Sequence, residues 1–199
     1  MTKSAPRIPP LASYDDEVAA ILSKTLANPA GEPSNIFKTL ARHPRLLARF
    51  NTLGGLFMAK SVIRASDREL IILRVATRTR CPYEWGQHVG LAYQAGLTTA
   101  QLEWLAAERV ASDVGTSPLW TEDQRALMTV TDHLLDGTDV DDALWSALHL
   151  GRTDAQVLEI LMLAGFYRML AAVINAVRVE LDEGLPMWPS TAPRATTPR

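Results

Sequence analysis

A thiol, a carboxylate and an imidazole fall within eight residues of one another, at Cys81, Glu84 and His88 in the run Cys81-Pro82-Tyr83-Glu84-Trp85-Gly86-Gln87-His88. On a helix turning about 100° per residue, these positions share one face, roughly one and two turns apart. Groups that exchange protons, gathered in one hollow, would perform acid/base or thiol chemistry. Cys81 is the chain's single cysteine, and a reactive cysteine needs a proton partner within reach. Pro82 suits the first helical position, which makes Cys81 the expected N-cap of a helix over 82–95. Free N–H groups and the positive end of the helix would then favour thiolate. Glu84 and His88, at i and i+4, are expected to hydrogen-bond, the carboxylate fixing the tautomer of the imidazole. Gly86 and Gly90, also four apart, would let another helix approach closely.

Each of these residues also has a plainer reading. A lone cysteine is often a small buried hydrophobe, and a Glu-x-x-x-His pair is often a solvated pair on a helix surface. Tyr83, Trp85, Val89 and Tyr93 stand at helical spacing and are expected in a core. Arg74, Arg78 and Arg80 could hold a substrate carboxylate bidentately, although arginines at a helix end also complement its dipole. Tyr83, Arg74 and Arg80 are the candidate substrate-binding residues. Glu84 and His88, with Cys81, could offer metal ligands. The Glu-x-x-His pairing of helical di-iron sites is nonetheless absent, and no second ligand cluster surrounds His43, His133 or His149. No metal and no cofactor are expected.

The elements that must position these groups are helices. Apolar residues recur at three- and four-residue spacing, and no window of strict alternation survives. Helix starts are expected at four capping boxes, Ser66 with Glu69, Thr98 with Gln101, Thr121 with Gln124 and Thr153 with Gln156. Stops are expected at Gly96, Gly137 and Gly184. The spacing predicts helices over 13–27, 35–42, 45–59, 66–79, 82–95, 99–107, 121–136, 140–149 and 153–182. The fourth, with Leu70-Ile71-Ile72-Leu73-Arg74-Val75-Ala76, is apolar nearly all round and should be central, as should Val157 to Ala164. In this scheme Glu69 serves as the N3 partner of Ser66. The stretches from Asp67 to Gly96 and from Asp154 to Gly184 echo one another, setting His88 over Asn175. A degenerate internal helical repeat and a chance likeness both account for that.

At 199 residues and 47% hydrophobic side chains, the chain can bury one sizeable core. A net charge of −2 gives no basic footprint for nucleic acid. One cysteine cannot form an internal disulfide, and no run reaches the ~18 uninterrupted apolar residues of a membrane span. A cytoplasmic protein without membrane or nucleic-acid partners is the expectation. Proline-rich ends suggest an N-terminal arm over 1–12 and a disordered tail over 186–199, flanking a single helical domain over 13–185.

The run Asp67-Arg68-Glu69-Leu70-Ile71-Ile72-Leu73-Arg74-Val75-Ala76, then Cys81-x-Tyr83-Glu84-Trp85-x-x-His88, then Ala95-Gly96-Leu97-Thr98, resembles carboxymuconolactone decarboxylase-like proteins. These share an all-helical fold with the alkylhydroperoxidase D group. The likeness centres on residues 60–110, with weaker echoes from Asn35 to Pro44 and from Gly165 to Asn175. It implies an all-α bundle, a small-molecule substrate and a homo-oligomer, trimeric or hexameric. The peroxidase branch carries a Glu, then Cys-x-x-Cys-x-x-x-His. Glu69, Cys81 and His88 fall on its Glu, first Cys and His positions, whereas Glu84 replaces the second Cys. Without a second thiol an intramolecular dithiol cycle cannot run. The resemblance therefore implies a proton relay of Glu69, Glu84 and His88 beside Cys81, in a cofactor-independent lyase or isomerase acting on a small organic acid or lactone. The alternatives are a one-cysteine peroxidase needing an external thiol, and a helical binding or assembly module without catalysis.

Overall fold

The structure, a computed structural model, describes residues 5–107 and 111–188. Among them are ten helices: α1 (Asp16–Leu22), α2 (Asn35–Leu40), α3 (Pro44–Ala59), α4 (Ala65–Arg78), α5 (Pro82–Gln94), α6 (Thr99–Ala106), α7 (Ala111–Thr116), α8 (Glu122–Asp136), α9 (Asp142–His149) and α10 (Asp154–Val177). The described residues form no strand beyond one isolated bridge between Ala27 and Pro33. The chain is all-α, as expected. The short α7 was not foreseen, and the expected tail lies, from residue 189 onward, outside the described residues.

Three of the four capping boxes form. Thr98 and Thr121 each accept from the N3 amide while Gln101 and Gln124 reach back, and Thr153 with Gln156 does the same. The fourth does not. α4 begins one residue early, with Arg64 at its N-cap and Asp67 in the first turn, so Ser66 lies inside the helix. Arg64 ties Asp67 at 2.9 Å, and this acidic group complements the helix dipole without a box. Glu69 is thereby released from capping.

Helix ends also depart from expectation. Gly96 and Gly137 take left-handed φ values of 99° and 70° and end their helices as expected. α10, however, stops at Val177, where Arg178 turns left-handed at φ 58°, well short of Gly184. α4 ends on another non-glycine turn. Arg80 has φ 49°, its N–H reaches the Thr77 carbonyl, and the Cys81 N–H reaches Ala76. This is the paired hydrogen bonding of a Schellman motif, and it delivers the chain directly to Cys81 at the start of α5. The two echoing stretches fold differently: the first is α4, this turn and α5, whereas the second contains one unbroken helix.

The chain divides into two compact units. One comprises the residues up to Ser61 together with Ala172–Leu185. Its core is Val18, Leu22, Ala41 and Leu47, with Leu11, Ile21, Phe37 and Leu40 packed around them. Within it the arm is tied down, the Arg7 N–H reaching the Val177 carbonyl and the Arg42 side chain the Pro9 carbonyl. Asp182 accepts from the Asn35 amide at 2.9 Å.

The second unit comprises Val62–Ala171 with the described residues from Pro186. α4 is its centre, packed chiefly against α5 and α8. Every residue from Glu69 to Thr77 is buried, and each large apolar side chain there contributes about 1.5–3 kcal/mol. The expectation for Val157 to Ala164 holds on one side only. Val157, Ile160, Leu163 and Ala164 are buried, while Leu158 and Met162 are 61% and 55% exposed. Tyr93, expected in the core, is also exposed. α10 is long and apolar enough to cross a bilayer by length and composition. More than half of that apolar window is buried within the protein, and it carries Glu159, which accepts from the Val62 amide.

Candidate active site

Cys81 is the N-cap of α5, with Pro82 in the first turn, and it is fully buried. The thiolate expected there is not favoured. Burial pushes the thiol pKa up, the Glu84 carboxyl pushes it further, and it reaches about 12. The Glu84 and Tyr83 amides pull the other way, as a helix N-terminus should, and are outweighed.

His88, two turns along α5, is 5% exposed. Its partner is not Glu84 but Glu69 of α4, whose Oε2 lies 2.8 Å from His88 Nδ1. Glu69 is completely buried, and its other oxygen accepts from Arg68 Nε at 2.9 Å. Burial alone would raise the Glu69 pKa; His88 first, and then Arg68, outweigh it and hold the carboxyl below its usual value. Glu69 is therefore an acceptor-only carboxylate, and His88 Nδ1 must supply the proton between them. That leaves Nε2 as the ring atom free to take or give a proton.

Glu84 is 2% exposed, and neither carboxyl oxygen has a hydrogen-bond partner among the described residues. Burial raises its pKa well above the ordinary value and so favours the uncharged acid. Tyr167, from α10, closes the cluster. Its ring meets His88 edge-on, with centroids 5.1 Å apart and planes at 87°. Burial, then Glu69 and Glu84, push the phenol pKa well above its ordinary value. Direct contacts join Tyr167, His88, Glu69 and Arg68, and electrostatic effects tie Glu84 to both Cys81 and Tyr167.

The candidate substrate-binding residues fare differently. Tyr83 is buried on α5 and its hydroxyl accepts from Gln87 Nε2 at 3.0 Å. Arg74 is withdrawn from any substrate role by its own partners. It is fully buried and holds Asp132 of α8 through Nε at 2.8 Å and Nη2 at 2.6 Å, and its guanidinium lies over Trp104, 5.8 Å from the ring centroid. Asp132 also binds Arg78 at 2.7 Å. Arg80 is exposed in the left-handed turn before Cys81. Gly90 does not mark a close approach, since a Cβ there would meet open space. Among the described residues no trio of His, Cys, Asp and Glu is placed to hold a metal.

Arg68 and Tyr167 are the members of the cluster that sequence spacing did not nominate. Arg68 precedes Glu69 directly, a hint obscured by the capping-box reading. Tyr167 sits in an apolar helix 79 positions beyond His88, and only the Gly165–Arg168 likeness touches it.

Residues 44–120 match the carboxymuconolactone decarboxylase family, and no curated protein matches the chain. Solved structures share the fold over nearly its whole length. A peroxidase-related protein from Silicibacter sp. TM1040 superposes with a TM-score of 0.72 at 19% identity, covering 92% of this chain and 94% of its own. An alkylhydroperoxidase AhpD core protein from Ralstonia eutropha JMP134 gives 0.69 at 19%, covering 90% and 95%. The debrominase Bmp8 gives 0.68 at 16%, covering 88% and 92%. At these identities the structural likenesses establish the fold alone, and the sequence match is a likeness to the carboxymuconolactone decarboxylase family over residues 44–120. Residues 44–120 are thus similar in sequence to the carboxymuconolactone decarboxylase family, within a helical fold similar to that of AhpD-like structures.

Proposed function

We propose that the chain is a cofactor-independent lyase or isomerase that moves a proton at carbon next to a carbonyl, in a small organic acid or lactone. His88 is the general acid/base, through Nε2. Glu69 holds the Nδ1 proton and stabilises the imidazolium that forms, and Arg68 keeps Glu69 ionised. Where Nε2 takes an α-proton, the resulting imidazolium returns it to the enolate. Where CO₂ leaves a substrate carboxylate instead, the enolate takes its proton from a His88 that entered the step as the imidazolium. A positioned acid/base of this kind contributes about 10²–10⁴ in rate. The observation that carries the reading is the buried 2.8 Å contact between Glu69 Oε2 and His88 Nδ1. Cys81 lines the site as a neutral thiol. We read the working form as a cytoplasmic homo-oligomer, a reading supported by the family resemblance and by the exposed Leu158, Met162 and Met169 on α10.

A second reading is a thiol peroxidase, favoured by the amides of Glu84 and Tyr83 that draw the Cys81 pKa down. There the sulfur would attack the peroxide O–O bond, giving sulfenic acid and an alcohol, and an external thiol would reduce it. The two readings separate in deuterium oxide. Proton NMR follows exchange of α-hydrogens in a panel of small lactones and keto acids. His88→Ala should remove exchange and Cys81→Ser should leave an appreciable fraction. Thiol-dependent hydroperoxide consumption that is lost in Cys81→Ser, with no His88-dependent exchange, would replace the lyase reading by the peroxidase.

A further inference from the structure

Glu84 poses a problem that the proton relay does not solve. Its carboxyl is buried with both oxygens unpartnered, and a buried unsatisfied polar atom costs about 1–3 kcal/mol. Native proteins tolerate few such groups, and each calls for a physical explanation. The basic groups of the cluster, and the buried arginine further along α4, are already committed. Arg68 and His88 serve Glu69, and Arg74 serves Asp132. With burial and no cation of its own, the Glu84 carboxyl stays uncharged. An uncharged carboxyl carries one O–H donor beside one C=O acceptor. Glu84 also sits about one helical turn before His88 on the same face of α5, about 6 Å along the axis.

Resting on the lyase reading above, we propose that Glu84 recognises the substrate: its neutral carboxyl pairs with a carbonyl oxygen flanked by an N–H or O–H donor, in an uncharged part of the molecule. A lactam, an enolised α-keto lactone or an α-hydroxy carbonyl presents that pattern. A carboxylate does not, because it brings no donor and would lie beside the buried Glu69 anion with its neighbouring arginines already paired. The substrate's recognised end is therefore neutral. Glu84→Gln keeps a donor and an acceptor side by side, whereas Glu84→Met keeps only the volume. These two variants separate hydrogen-bond recognition from packing, and from a role as ionised base.

The test uses γ-butyrolactam as the probe, with γ-butyrolactone as an acceptor-only control and γ-hydroxybutyrate as the anionic control. Binding is titrated by ligand-observed NMR. The lactam should bind wild type more tightly than either control and bind Glu84→Gln within about threefold of wild type. Binding to Glu84→Met should weaken about ten- to a hundredfold, the loss of two hydrogen bonds. In the infrared, the wild-type minus Glu84→Gln spectrum should show a protonated-carboxyl band that moves to lower frequency when the lactam is added. Failure of the lactam to bind wild type, equal binding by Glu84→Met, a Glu84→Gln as weak as Glu84→Met, or a carboxylate band in place of the acid band would overturn the inference. His88→Ala keeps the two readings apart. It should abolish exchange and leave lactam binding intact, whereas exchange that survives His88→Ala would sink the lyase reading without touching Glu84.

Discussion

Raising the pH should expose how firmly the fold holds the Cys81 proton. The thiol rises from an ordinary 9.0 to about 12, with burial the largest cause and the Glu84 carboxyl the second. At about 1.36 kcal/mol per unit, three units are about 4 kcal/mol of preference for the protonated form. Near pH 7.5 the thiolate fraction would be about one part in 10⁴–10⁵, roughly a thousandfold below that of an unfolded chain. The native protein should therefore react with iodoacetamide at least that much more slowly than the same chain in urea, with no plateau below pH 11. The linkage has a definite sign. Between pH 9 and 12 the unfolded chain releases a proton that the native state keeps, so stability falls as pH rises across that window. Cys81→Ala should flatten this alkaline decline, measured as the urea midpoint against pH. Stoichiometric labelling of the native protein at pH 7, with an apparent pKa below 9, would refute the reasoning and return Cys81 to the role of nucleophile.

Two carboxylates of the same site should pull stability in opposite directions. Glu84, raised by burial, makes the native state less stable as pH climbs above about 4.5, so Glu84→Gln should gain on wild type as pH rises through and beyond that value. Glu69, held low by His88 and Arg68 against its burial, adds stability above pH 4.5 that is lost as pH falls through its folded value; urea midpoints across pH read both. Asp132→Ala should cost about 3–5 kcal/mol by stranding Arg74 in the core, with chemical denaturation as the measure. Gly90→Ala should stabilise α5 by about 0.5–1 kcal/mol, since its Cβ meets open space; an unchanged or lowered melting temperature would contradict this.

The helices were legible because their signals are local. Capping pairs such as Thr98 with Gln101, and the all-round apolar face of α4, depend on neighbours within a turn. The four groups Glu69, Cys81, Glu84 and His88 were also nominated by spacing and resemblance. Their pairing was not legible, because it depends on how α4 lies against α5. An i, i+4 rule assigns Glu84 to His88, yet Glu69, 19 residues back, makes the contact. The same limit applies to Arg74, whose partner is 58 residues away. The thiol's state failed for a related reason. The favourable helix end was readable at Pro82, but the burial that outweighs it is a property of the packed core.

The relay itself is tested most directly by the tautomer of His88. Long-range nitrogen–proton NMR correlations, assigned by their loss in His88→Gln, report which ring nitrogen carries the proton in the neutral imidazole. Protonated Nδ1 with a bare Nε2 is the expected spectrum, because ionised Glu69 can only accept at 2.8 Å from Nδ1. A proton on Nε2 with Nδ1 bare would mean that Glu69 does not hold the ring, and the proton-transfer account would fail with it.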